Sequence, residues 1–155
     1  MTPRVAVMFG DLDWLRARHA EGNLKNPPFM ARDCAYGGLL SVAVLHDRLD
    51  MTEALLDLGF HPDERAPIEG TDRDGWGGSL EECTQSGRLA VAEMLLKRGA
   101  DPNPKPHLSK VPIAWAYEKR NTAMIELLRR DGAVAHPVVG RCETSACFSP
   151  HSLSR

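Results

Sequence analysis

Several residue groups in this 155-residue chain have types and spacings that invite chemistry. Asp72-Arg73-Asp74-Gly75 reads like the opening of a calcium loop, where alternating carboxylates ligate the ion and a glycine makes the sharp turn. The third carboxylate and the terminal bidentate glutamate are missing at the required offsets, and the glycine arrives too early. A plain turn is the better reading, because Asp and Gly are turn formers. His136, Cys142, Cys147 and His151 place four zinc-type ligands within 16 residues. Their order is not a familiar finger spacing, so unligated thiols and exposed imidazoles are expected there. Cys34 has no histidine and carboxylate tied to it by a motif. Cys83 shares one face of a short helix with Leu80 and Thr84 by its spacing, and burial on that face would raise its thiol pKa and quiet it as a nucleophile. Glu81 and Glu82 are adjacent, and side chains at i and i+1 of a helix diverge, so they cannot share a substrate atom. Gly75-Trp76-Gly77-Gly78 lacks the lysine and the preceding apolar strand of a phosphate loop. No catalytic set, metal site or cofactor site emerges, and a protein that is not an enzyme is expected.

The elements that would position these residues are repetitive. Val91-Ala92-Glu93-Met94-Leu95-Leu96-Lys97-Arg98-Gly99-Ala100-Asp101-Pro102-Asn103 has variants starting at Met51 and Met124, and a weaker copy starting at Trp14. The closing glycines, Gly22, Gly59, Gly99 and Gly132, are separated by 37, 40 and 33 residues. A base period of 33 with two insertions fits stacked helical units whose loops tolerate added length. Leu80, Cys83 and Thr84 share one face of a short helix by their spacing. Leu89, Ala92, Leu95 and Leu96 do the same for a second helix, with Gly87 at the turn between them and Gly99 at the end. Each unit cannot bury its apolar face alone, so its neighbours must supply the core.

Leu95-Leu96-Lys97-Arg98-Gly99-Ala100-Asp101-Pro102-Asn103 resembles the ankyrin repeat, best over residues 77–103, well over 38–63 and 111–133, and partly over 1–24. Gly78-Ser79 stands where the family has Thr-Pro, Glu81 and Ala114 replace the usual histidine, and Arg120 replaces a common glycine. The resemblance implies an all-α, ankyrin-like helix-pair solenoid with extended loops or short hairpins between repeats. The expected array covers residues 1–134, divided near 1–36, 37–76, 77–109 and 110–134, with an irregular or disordered tail at 135–155. Asp-x-Asp-Gly is also common at the hairpin tips of this family.

Arg18 and His19 replace the positions of Leu95 and Leu96, which reads as a polar cap on the exposed end of a stack. Thr2 followed by Pro3 reads as a helix start. Trp14 is placed on the second-helix core stripe with Met51, Val91 and Met124, and Trp115 on a semi-buried core position. Two inserts, 23–36 and 62–76, are expected as loops. The tail offers no obvious helix pair to cover the fourth repeat.

Net charge −2 and a pI near 6.3 give no electrostatic footprint for nucleic acid. No apolar run approaches a membrane span, and no secretory signal is expected. Four cysteines without framework spacing suggest a reducing, cytoplasmic setting. The resemblance implies a concave face onto which the residues before each inter-helix turn project: Met8-Phe9, Leu45-His46, Gln85-Ser86 and Glu118-Lys119. Asp72, Asp74 and Trp76 would flank that face from the second insert. Exposed apolar residues there suggest a protein-binding site, unless Pro27, Pro28, Phe29 and Met30 fold back over it. The expected function is a monomeric, non-catalytic adaptor or regulator that binds another protein. The alternatives are a metal- or redox-responsive protein using the tail's Cys/His set, and a regulatory array split from a longer enzyme or effector.

Overall fold

Each repeat of the apolar pattern folds as two short helices joined by a tight turn. The computed structural model describes them over residues 1–25, 38–66, 78–104 and 111–134. The pairs are α1 (Pro3–Phe9) with α2 (Leu12–Ala20), α3 (Leu39–Leu45) with α4 (Leu49–Asp57), α5 (Ser79–Ser86) with α6 (Leu89–Lys97), and α7 (Pro112–Glu118) with α8 (Thr122–Arg130). Among the described residues there is no strand, so the all-helical expectation holds.

The inter-helix turn is the same in all four pairs. The first residue after the turn donates its N–H five residues back: Asp11 to Ala6 at 2.9 Å, Arg48 to Ala43 at 2.8 Å, Arg88 to Cys83 at 2.9 Å and Asn121 to Ala116 at 3.0 Å. That bond forces the preceding residue into the left-handed region, at φ +80° for Gly10, +56° for Asp47, +75° for Gly87 and +53° for Arg120. Two of the four are therefore side-chain-bearing residues in a conformation that favours glycine. The second helices end alike, each on a glycine with positive φ, as where the Ala100 N–H returns to the Leu95 carbonyl at 3.0 Å. Thr2 caps α1 by accepting from the Val5 N–H, with Pro3 at the first helical position as expected.

The first helices stack as a row, α1 on α3 on α5 on α7, while α4, α6 and α8 form a second row. Leu80, Cys83, Thr84, Ala92, Leu95 and Leu96 are buried between the rows, as their spacing predicts. Leu89 is a correction: it is 38% exposed. It opens α6, two residues before the buried stripe of Val91, Ala92, Leu95 and Leu96 begins, and Leu49 is exposed at the matching position of α4.

The second repeat is tied to the third, and the third to the fourth, through a residue placed four after the closing glycine. The Asp63 carboxylate accepts from the Asp101 N–H at 3.0 and 3.1 Å. Asn103 repeats the bond one unit later, accepting from the Val134 N–H at 2.7 Å and donating to the Gly132 carbonyl at 2.9 Å. This is the physical reason for the Asp or Asn at that place in the pattern.

Arginine stacked on an aromatic ring finishes both ends of the described stack. Arg18 lies 5.4 Å from the half-buried Trp14 ring and pairs with Glu21 at 2.8 Å. Arg129, where the third repeat has Leu96, lies 5.7 Å from the Tyr117 ring. Val7, Val44 and Thr84 are fully buried by the next repeat, whereas Tyr117 at the same position is 42% exposed.

Candidate functional site

The residues expected to meet a partner sit at the C-terminal ends of α1, α3, α5 and α7, side by side along the first-helix row. Met8 is 41% exposed, Phe9 76% and Leu45 41%. His46, Gln85, Ser86, Glu118 and Lys119 are exposed as well. The helix geometry explains this pattern: the residue three before each turn points into the next repeat, and the following two point out of the row. The row runs from apolar at Met8 and Phe9 to polar and charged at Glu118 and Lys119.

Asp72, Asp74 and Trp76 lie outside the described residues, as do Pro27, Pro28, Phe29 and Met30 of the first insert. Cys34, His136, Cys142, Cys147 and His151 lie outside them too, with the whole 135–155 tail. Cys83 is fully buried, and burial pushes its thiol well above the ordinary range, so it is no nucleophile. Among the described residues no group of three His, Cys, Asp or Glu side chains could hold a metal ion, and no helix is long and apolar enough to cross a membrane.

Position by position, the described repeats carry a helix, a left-handed turn, a longer helix and a closing glycine, and the second and third add an Asp or Asn that bonds forward to the next unit. The chain is similar to an ankyrin repeat protein of Fowlpox virus (strain NVSL), 44% identical over 54 residues, which is 35% of this chain and 8% of the relative. It is also similar to an ankyrin repeat-containing protein of Treponema pallidum (strain Nichols), 30% identical over 95 residues, 61% of this chain and 30% of the relative. The chain is an ankyrin repeat protein. No family model matches it. The matches span less than a third of either relative's own length.

One residue in this ankyrin array departs from the family pattern with a structural consequence that spacing did not reveal. Glu81, at the usual histidine position, is only 3% exposed. One carboxylate oxygen accepts from Arg65 Nη2 at 3.1 Å, and the other accepts from the Gly78 N–H. Burial is the largest influence on its carboxyl and raises its pKa, while Arg65 and the Gly78 amide pull it back. The substitution at position 81 was a visible signal. Its partner was not, because Arg65 is 16 residues away and belongs to the second insert. Residues 62–66, where this insert begins, form no helix or strand, as expected of a loop, yet they are packed against the array. Pro62 and Ala66 are buried, and Asp63 and Arg65 bond to the third repeat.

Proposed function

We propose that this ankyrin array is a non-catalytic protein-interaction module, an adaptor or regulator, that binds a partner protein across the ends of its first helices. Phe9 carries the reading: a 76% exposed phenylalanine on a packed helix, with Met8 beside it and Leu45 on the adjoining helix. Large apolar side chains held outside the core by rigid elements suit an interface centre, because little conformational entropy is lost on contact. Gln85, Ser86, Glu118 and Lys119 would form the polar rim, with His46 between the two zones. Asp72, Asp74 and Trp76 of the second insert would add an acidic and aromatic flank. The module works as a monomer in the cytoplasm, and needs no cofactor, nucleic acid or membrane.

Affinity capture from the native cell extract tests this, comparing the wild-type chain with the Phe9→Asp, Leu45→Asp double variant. Both positions are exposed, so the variant is expected to match wild type in helical content and melting point. A protein retained by the wild type and lost by the variant is the expected result. Identical retained sets from two equally folded baits would remove the surface from consideration.

A further inference from the structure

We infer that Glu81 is a positioning residue that joins the two stems of the second insert through Arg65 and Gly78, and so fixes where that insert leaves and re-enters the stack. Arg65 lies at the start of the insert and Gly78 just after its end, and a single carboxylate bonds to both. The join is sheltered from water: the Glu81 side chain is 4% exposed and that of Arg65 13%. Ala66, next to Arg65, is fully buried. The Thr84 hydroxyl donates to the Glu81 carbonyl at 2.7 Å and holds the first turn of α5 in place beneath the carboxylate.

The other repeats lack the device. Arg4, Ser41 and Ala114 occupy the place of Glu81 in the first, second and fourth repeats, and none offers a carboxylate. The join stands where the glycine-to-glycine interval is longest, at 40 residues. An insert tied at its base has fewer arrangements to lose when something binds it. The functional consequence rests on the proposed partner surface, to which Asp72, Asp74 and Trp76 are assigned. The join itself does not depend on that reading and is tested without a partner.

The test is hydrogen exchange on the full chain, read for residues 66–78 and separately for α5 and α6, in wild type and in Glu81→Gln, Arg65→Met and Arg65→Lys. Glu81→Gln keeps the shape and an acceptor for Gly78 but removes the charge that holds Arg65. Residues 66–78, the Gly78 amide included, should exchange at least about threefold faster in Glu81→Gln and Arg65→Met, and by a larger factor than α5 and α6 do. Arg65→Lys, which restores a cation, should recover part of the protection. Unchanged exchange at 66–78 in folded variants would overturn the inference. Acceleration of α5 and α6 in step with 66–78 would overturn it as well, because the pair would then stabilise the repeat without addressing the insert. If Glu81→Gln does not fold, the comparison of Arg65→Met with Arg65→Lys decides. Failure of both Glu81→Gln and Arg65→Met to fold counts against the inference, since the pair would then belong to the repeat core. Loss of the capture result above with the join intact would remove the partner reading alone.

Discussion

Individual residues set the local strain and the charge cost of this array. Arg120 occupies the inter-helix turn at φ +53°, where Gly10 and Gly87 sit at +80° and +75°. A Cβ in that region is unfavourable, and Arg120 is exposed, so its side chain offers little in return. Arg120→Gly is expected to stabilise the fold by about 0.5 kcal/mol in urea unfolding, the relief of strain being partly offset by glycine's larger unfolded-state entropy. Asp47 at φ +56° differs, because its carboxylate pairs with Arg88 across the repeat boundary at 2.7 Å, and a glycine there would lose that contact. The Arg65–Glu81 pair gives a second expectation. The Glu81 carboxyl is raised above its ordinary value of 4.5 in the folded protein, so the fold holds that proton more tightly than the unfolded chain does. Its stabilising contribution is therefore complete below about pH 4.5 and is lost as pH rises through the raised folded value. Removing the opposing cation raises that value further. Arg65→Met should cost about 3 kcal/mol near pH 7, where the carboxylate would be buried without its partner, and much less near pH 4. Urea unfolding across that pH range checks the sign; a loss of equal size at every pH would contradict it.

Helices of seven to nine residues are too short to persist alone, so each element here depends on caps and neighbours. The tight turn and the closing glycine return the chain at fixed angles, and the forward bond from Asp63 or Asn103 sets one pair against the next. Asn103 holds both the Gly132 carbonyl and the Val134 N–H, which leave α8 without that anchor when it is lost. Asn103→Ala is expected to cost about 1.5 kcal/mol, with faster hydrogen exchange in α8 than in α3 or α4. Uniform acceleration across all helices would show that the bond acts on the whole stack rather than on this junction.

At the scale of the molecule, the core is a narrow band between two helix rows, and every described repeat contributes a fully or nearly fully buried leucine or methionine to it. Leu15, Met51, Leu55, Leu95, Met124 and Leu128 are all 0% exposed. In such a stack stability is the sum of repeat and interface contributions, so damage in the third repeat weakens the junctions on both sides of it. Leu95→Ala is expected to cost about 3 kcal/mol, through lost burial and the cavity left behind. A single shifted transition in both circular dichroism and tryptophan fluorescence is the expected observation. Two separated transitions would mean that the repeats on either side unfold independently. Exposed Phe9 and Leu45 belong to neither helix row's core, which is why charge can be placed there without the same penalty.

The repeat itself was legible in the chain, because a helix pair that buries one face needs apolar residues at fixed spacing and a glycine wherever φ turns positive. Thr2-Pro3 at the first helix start, the buried Leu80-Cys83-Thr84 face and the polar Arg18-His19 end could all be read that way. Leu89 could not, since membership of a helical stripe does not say where along the helix the stripe turns inward. The tertiary structure alone decided that Asp47 and Arg120 accept a glycine's conformation, because the five-back hydrogen bond and stacking neighbours impose it. It alone joined Arg65 to Glu81, for an ion pair between a loop and the next repeat's helix depends on how repeats stack, and stacking leaves no period in the sequence. The outward pairs before each turn were named from repeat register, and their exposure followed only once the neighbouring helices occupied the row.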